Sequence, residues 1–144
     1  MKQVKHLYSY SDFIFEEKIS NNASHNKLAV YGLSLLSQIR TWHWEVTVGD
    51  FHKALGDFYD AFSDINDKLI EAVMGKYGRI RVAGQKQREL VDYSAEEFNS
   101  FIEEMENTYS KEYKKTFTND PEICNIIDEI LGEIQKIKYL STMS

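Results

Sequence analysis

Apolar residues recur at intervals of three and four along most of the chain, which is the period of an amphipathic α-helix. The pattern covers four segments, about 23 to 46, 51 to 77, 95 to 117 and from Pro121 onward. In the last segment the apolar stripe consists of Ile123, Ile126, Ile127, Ile130, Leu131, Ile134 and Ile137. None of these segments has the strict alternation of a half-buried strand. The pattern therefore predicts an all-α bundle of four helices.

Local signals mark the ends of these helices. The first helix closes in a β-branched run that ends at Gly49, and Asp50 is expected to cap the second. Ser94 and Glu97 have the spacing of a capping box for the third helix. Pro121 supplies the proline that is favoured at the first position of a helix. These signals fix the starts of the helices better than periodicity alone does.

The chain divides into a short N-terminal segment and one bundle domain. Residues 1–22 are too apolar for a solvated tail, so we expect them to pack on the bundle or on a neighbour. Residues 23–144 form the predicted bundle, in which residues 78–93 are a helical or irregular connector between the second and third helices. The connector carries the densest basic stretch, Arg79, Arg81, Lys86 and Arg88. A solvated surface is its simplest interpretation, and contact with nucleic acid or with an acidic partner is the alternative.

Composition narrows the class of protein. The single cysteine, Cys124, excludes an internal disulfide framework and cannot build a thiolate metal cluster alone, which fits a reducing compartment. No apolar run reaches the roughly 18 residues of a membrane span, and the N-terminus lacks the features of a signal peptide. A net charge of -6 argues against general binding to nucleic acid. We therefore expect a cytoplasmic protein that does not span a membrane and does not bind DNA.

The candidate chemistry lies at the junction of the first two helices and along the second. His43, His52, Asp67 and Glu71 combine imidazole and carboxylate ligands, which suit iron, zinc or manganese. Asp67 and Glu71 are four residues apart, so their carboxylates are neighbours and repel each other unless a cation intervenes. On a helical wheel they share with His52 a face opposite the core, together with Gly56, Tyr59, Asp60, Ser63, Ile70 and Met74. The mixed character of this face predicts a site or an interface.

Helix geometry prevents these residues from sharing one metal within a chain. His52 and Asp67 are 15 residues apart, which is about 22 Å along one straight helix. Two chains could bring them together if their second helices pair antiparallel about a two-fold axis near residue 60. In that register His52 of one chain lies beside Asp67 and Glu71 of the other. The spacing thus predicts a homodimer through the second helix with two identical sites.

The arrangement His43-Trp44, His52 and Asp67-x-x-x-Glu71 resembles the Dps family of dodecameric mini-ferritins, best over about residues 26 to 78. The resemblance implies a ferritin-like four-helix bundle that oxidises Fe(II) with peroxide or oxygen at a dinuclear site between subunits and stores or detoxifies iron. His43 and His52 would be nitrogen ligands, with His52, Asp67 and Glu71 as the catalytic set. Asp67 would be a bridging or terminal carboxylate ligand of the iron, and Glu71 would be the main carboxylate ligand. The resemblance also extends to small ferritin-like proteins of tailed phages.

The sequence departs from the Dps pattern in three places. The loop between His43 and His52 is shorter, Gly56 stands where the family has an iron-binding aspartate, and no lysine-rich tail is present. Asp57 or Asp60 could replace the missing ligand only if the helix rotates. These departures keep open a second interpretation, a non-catalytic structural or interaction protein that retains the dimerising bundle. Such a protein could be a phage virion, host-takeover or anti-defence component.

Overall fold

The computed structural model describes residues 23–47 and 49–143. Within them the chain forms α1 (Ala23–Glu45), α2 (Gly49–Tyr77), α3 (Ala95–Asn107), a π-helical turn (Thr108–Tyr113), α4 (Lys114–Thr116) and α5 (Pro121–Ser141). The segments α3, π-turn and α4 follow one another without a break and together make the third helix of the bundle. The described residues contain no strand. The prediction of an all-α bundle of four helices is confirmed.

The helix starts follow the signals in the sequence, with one exception. The Ser94 hydroxyl accepts a hydrogen bond of 3.0 Å from the Glu97 amide and caps α3, and Pro121 opens α5. The second helix begins at Gly49, earlier than expected, so Asp50 lies in its first turn instead of capping it. Gly49 has a φ of 80°, a conformation open to glycine that lets the chain turn directly into α2.

The core is formed by the apolar stripes of all four helices. Its largest fully buried side chains include Trp42 of α1, Phe62 of α2 and Tyr109 of the π-turn. The α5 stripe is buried as predicted at Ile123, Ile127, Ile130, Ile134 and Ile137. The helical period predicts a core stripe on α2 that consists of Leu55, Phe58, Phe62, Ile65, Leu69, Ala72 and Val73. Of these, Ile65 and Ala72 are only half-buried, whereas Asn66 is buried. A polar residue thus lies between α1 and α2, beside the predicted stripe.

Contacts between helices fix their directions. In each adjacent pair, early residues of one helix meet late residues of the other, which makes the pair antiparallel. The contacts are His43 with Gly56 and Gly32 with Asn66 (α1 and α2), Trp42 with Phe98 and Tyr31 with Thr108 (α1 and the third helix), Lys68 with Glu129 (α2 and α5), and Lys138 with Glu106 (α5 and the third helix). Because α1 is antiparallel to both, α2 and the third helix run parallel, and the chain must cross the length of the bundle between them.

Residues 78–94 make this crossing as an extended, irregular connector. Of the two predicted forms, helical and irregular, the structure has the irregular one. Side chains of α1 bind its backbone at successive levels, from Asn26, which accepts from the Arg81 amide at 2.8 Å, to Glu45, which accepts from the Tyr93 amide at 2.7 Å. Gln38 both accepts from the Val91 amide at 2.9 Å and donates to its carbonyl at 3.0 Å. The connector therefore runs parallel to α1 and lies against it like a bound peptide.

None of the described helices is both long and apolar enough to cross a membrane. The expectation that residues 1–22 pack on the bundle or on a neighbour lies outside the described residues.

Candidate functional site

His43 and His52 stack on each other where α1 ends and α2 begins. Their ring centroids are 4.2 Å apart and their planes differ by 14°. The His43 Nδ1 lies 2.9 Å from the carbonyl oxygen of His52, and the His52 Nδ1 lies 2.8 Å from that of His43 and 2.6 Å from that of Val46. The two histidines, both named as candidate ligands from the sequence, thus pair reciprocally within one chain.

The pairing sets the tautomer of both rings. A carbonyl oxygen only accepts, so each Nδ1 must carry the proton and donate it. The carbonyls of His43 and Val46 belong to the end of α1, where backbone oxygens lack helical partners, and His52 satisfies them. Each Nε2 then holds the lone pair that a neutral imidazole offers to a metal. A ring nitrogen fixed by a backbone carbonyl is a common way to orient a metal-binding histidine.

The stacking limits how the two rings can bind metal. A metal ion lies in the plane of the imidazole that binds it, about 2 Å from the nitrogen. The two ring planes differ by only 14° and the ring centroids are 4.2 Å apart, so the planes meet only far from the two Nε2 atoms. Without a tilt of one ring, the pair therefore fits one ion for each histidine instead of one shared ion.

Gly56, one turn after His52, lies directly beneath the His43 ring. A Cβ at this position would stand 2.8 Å from His43 Cε1 and 3.1 Å from its Nδ1, closer than real contacts allow. The space that the absent side chain leaves is therefore filled by the imidazole. Asp57, a candidate replacement for the missing carboxylate, forms an ion pair of 2.9 Å with Lys53. Its pKa is lowered, chiefly by that hydrogen bond from Lys53.

Asp67 and Glu71 are both exposed and lie farther along the unbroken helix α2. Asp67 lines a groove of about 390 Å³ on the outer face of α1, α2 and the connector. The groove is otherwise mostly apolar, with Ala29, Leu33, Leu36, Ile70, Ile80 and Val82 along it. Within the described ranges neither carboxylate forms an ion pair. The structure thus brings His43 to His52 but leaves Asp67 and Glu71 apart from them in the single chain.

The outer face of α1 and α2 carries unusually exposed apolar side chains. Trp44 is 64% exposed and Leu33 47%, and Val82 of the connector is 44% exposed. Between the two helices, the Arg40 guanidinium lies 3.9 Å above the centre of the Tyr59 ring. Large apolar patches on a surface mark interaction sites more often than solvated faces.

Asn66 is a buried residue of this face that periodicity did not single out. It is 6% exposed, and its Oδ1 has no hydrogen-bond partner among the described residues. Gly32 of α1 lies against it, since a Cβ there would stand 2.6 Å from Oδ1. Asn66 also lines the groove that contains Asp67. Its only signal in the sequence is its position one turn after Phe62 in the core stripe.

A second polar cluster lies at the opposite end of the bundle and was also missed. Asp120, which is 2% exposed, accepts a hydrogen bond of 2.5 Å from the Tyr77 hydroxyl and pairs with Lys76. The ring of His25 contacts those of Tyr77 and Phe117, and its Nδ1 is buried without a hydrogen-bond partner in the part of the chain that the structure describes. Burial lowers the pKa of His25, against the opposing charge of Asp120. This cluster joins the ends of α1, α2 and α5.

Comparison with known proteins gives a family without an assigned activity. Among the described residues, no group of three or more His, Cys, Asp or Glu side chains is placed to hold a metal ion in one chain. No curated protein and no solved structure matches the chain significantly. The model of a family described as a family of unknown function, DUF5856, matches residues 43–140, which include all four predicted metal ligands and more than half of the chain. The chain therefore belongs to the DUF5856 family.

Proposed function

We propose that this protein is a Dps-like, ferritin-like iron-binding protein that oxidises Fe(II) with peroxide or oxygen and stores or detoxifies the product. The observation that carries the proposal is the stacked pair of His43 and His52, in which both Nδ1 atoms are held by backbone carbonyls and both Nε2 atoms are left for metal.

The topology of the bundle supports the ferritin-like assignment. Helix α2 runs parallel to the third helix and is joined to it by the crossover of residues 78–94. Four-helix bundles with one long crossover are the arrangement of the ferritin-like folds. Most bundles with short loops instead alternate up and down throughout.

The second chain of the proposed site would come through the outer face of α1 and α2. His52, Asp67 and Glu71 lie on one continuous helix, with His52 and Asp67 about 22 Å apart along its axis. A two-fold axis near residue 60 would bring the partner's Asp67 and Glu71 to His52, and would cover exposed Trp44 and Leu33 in the same contact. A dimer of this kind could assemble further into a shell of twelve subunits.

The proposed residues have distinct tasks. His43 and His52 bind one Fe(II) each through neutral Nε2, and the partner's carboxylates neutralise the charge and favour the Fe(III) product. Each of two Fe(II) ions gives up one electron, and hydrogen peroxide takes both electrons with two protons and becomes two waters. Zinc or manganese could occupy the same ligands without this reaction.

A second function is supported by one observation, the packing of His43 on Gly56. The imidazole occupies the space of the carboxylate that the resemblance leads one to expect, so the ligand set lacks one oxygen donor. A site with fewer ligands binds metal more weakly. On this alternative the protein is a non-catalytic structural or interaction protein that keeps the dimerising face.

Anaerobic Fe(II) titration of the purified protein, followed by peroxide, tests the proposal. We expect saturable binding of Fe(II) and oxidation faster than the solution rate, with both lost in His52→Ala and Glu71→Ala. Glu103→Ala is the matched control, since it removes an exposed carboxylate on the third helix, away from the α2 face. Oxidation at the uncatalysed rate by all four proteins would overturn ferroxidase activity. Sedimentation provides the separate test of assembly, where a stable monomer would exclude the two-chain site.

A further inference from the structure

A polar groove of about 490 Å³ lies on the opposite side of α1 from the α2 face. Its walls are α1, the connector and the π-turn. The lining includes Lys27, Tyr31, Lys86, Arg88, Thr108, Glu112 and Tyr113. Its volume is in the range of about 300–1,000 Å³ that small-molecule sites occupy. None of the predicted metal ligands contributes to it.

The charged side chains that line the groove are mainly positive, whereas the chain as a whole is negatively charged. Arg88 is paired with Glu104, and its backbone amide is held by Ser34, which fixes the connector at this level. Lys27 and Lys86 form no ion pair with any described residue. Glu112 is the one carboxylate of the lining. Two lysines that line one groove, on a chain of net charge -6, are placed to receive an anion.

Aromatic rings form the inner wall of the groove. The ring centroids of Tyr31 and Tyr113 are 6.1 Å apart, at an angle of 72°, and Tyr109 lies beneath both. The Tyr31 hydroxyl donates a hydrogen bond of 3.0 Å to Glu104 and is thereby fixed. Burial raises the pKa values of Tyr31 and Tyr113 above their usual range, so both hydroxyls are neutral donors at physiological pH.

The π-turn is what gives the groove this wall. A π-turn widens the helix by one residue and costs hydrogen-bond geometry, so it persists mainly where it serves a site. Here it spans Thr108–Tyr113, which lets Tyr109 enter the core while Thr108 and Tyr113 line the groove. The third helix is therefore distorted where it lines the groove.

We propose that this groove binds a phosphomonoester with an aromatic ring, of the size of a mononucleotide. Lys27 and Lys86 bind the phosphate, and the Tyr113 ring packs against the aromatic group. Glu112 accepts a hydrogen bond from the ring's amino group or from a sugar hydroxyl. The inference does not depend on the proposed iron chemistry, because the groove involves neither His43 nor the α2 face.

Isothermal titration of the full chain with AMP, adenosine and inorganic phosphate tests this proposal. We expect saturable binding of AMP, with adenosine and phosphate each at least about tenfold weaker, because each lacks one half of the contacts. Lys27→Met and Lys86→Met should each weaken AMP binding by about tenfold or more, the effect of losing a charge-assisted hydrogen bond. Lys136→Met removes a lysine from α5 and should leave binding unchanged.

A Tyr113→Leu variant separates the ring from the phosphate contacts. It should weaken AMP binding while the affinity for inorganic phosphate stays the same. Circular dichroism of each variant checks that the bundle is intact. The proposal is overturned if AMP shows no saturable binding, if phosphate or adenosine binds as tightly as AMP, or if AMP binding is unaffected by both lysine substitutions.

Discussion

The imidazole of His43 lies so close to Gly56 that a Cβ at position 56 would stand 2.8 Å from its Cε1. This contact links the end of α1 to the first turns of α2, next to the reciprocal hydrogen bonds between His43 and His52. Gly56 is therefore part of the proposed site although it has no side chain. From the sequence alone, Gly56 indicates only that an iron-binding aspartate is missing.

Replacement of Gly56 by alanine should displace the His43 ring. Glycine to alanine inside a helix ordinarily gains up to about 1 kcal/mol, but overpacking of this kind costs about 1–3 kcal/mol. We expect Gly56→Ala to lower the free energy of unfolding in urea and to shift the His43 ring resonances. Gly132→Ala is the matched control, since its Cβ would meet nothing within 4 Å. Equal stabilisation by both substitutions would show that His43 does not pack on Gly56.

Tyr109→Phe should stabilise the bundle. The Tyr109 side chain is fully buried, and no residue of the ranges 23–47 and 49–143 forms a hydrogen bond with its hydroxyl. An unpaired buried hydroxyl costs about 1–3 kcal/mol, which phenylalanine removes without a change in packing. Tyr31→Phe, which loses the bond to Glu104, should instead destabilise by about 0.5–1.5 kcal/mol. Denaturant unfolding measures both, and a destabilised Tyr109→Phe would reveal a partner for this hydroxyl.

Asp120 should make stability fall in acid. Hydrogen bonds from Lys76 and then Tyr77 lower its pKa, so its contribution is fully present above the unfolded value of about 3.9 and is lost as pH falls through the lower folded value. Urea unfolding of Asp120→Asn should show a loss of stability at pH 6 that shrinks below about pH 4. Asp60→Asn, an exposed carboxylate of α2, serves as the control. A gap between wild type and Asp120→Asn that stays constant down to pH 2 would contradict this account.

Gln38→Ala should loosen the connector. Gln38 is 4% exposed and makes two hydrogen bonds to the backbone of Val91. Its truncation leaves the Val91 amide unpaired at a cost of about 1–3 kcal/mol, whereas the Val91 carbonyl keeps the hydrogen bond from the Trp42 indole. We expect faster hydrogen exchange at the Val91 amide and lower global stability. Gln87→Ala, an exposed connector residue, should change neither. Unaltered exchange at Val91 would mean that another group holds the connector.

Periodicity and capping signals were enough to predict the four helices. The first ends at Glu45 against a prediction of about 46, and the third and fourth begin at Ala95 and Pro121, as their caps require. These features are local, because a cap or a stripe acts within one or two turns. The π-turn carries no comparable signal, since the segment Thr108–Tyr113 reads as ordinary helix and is widened only by its tertiary packing.

The candidate site was predictable only as a set of residue types. The sequence identifies His43 and His52 as imidazole ligands at the junction of the first two helices. Their stacking and the direction of their Nδ1 hydrogen bonds depend on the exact closeness of α1 and α2, which Gly56 and Gly32 permit. The distance between α1 and α2 cannot be predicted from the pattern of either helix alone. The pairing of Asp67 and Glu71 with a second chain stays a prediction.

The hydrogen bonds that hold the connector have a consequence for how this family can vary. Helix α1 recognises the connector through its main-chain amides and carbonyls, at Asn26, Ser34, Gln38, Trp42 and Glu45, while the connector's own side chains from Arg81 to Asp92 are exposed. Substitutions in the connector therefore leave these bonds intact, whereas substitutions on that edge of α1 remove them. Among relatives we expect the connector, apart from Lys86 of the proposed phosphate site, to diverge fastest and the α1 positions that face it to change least.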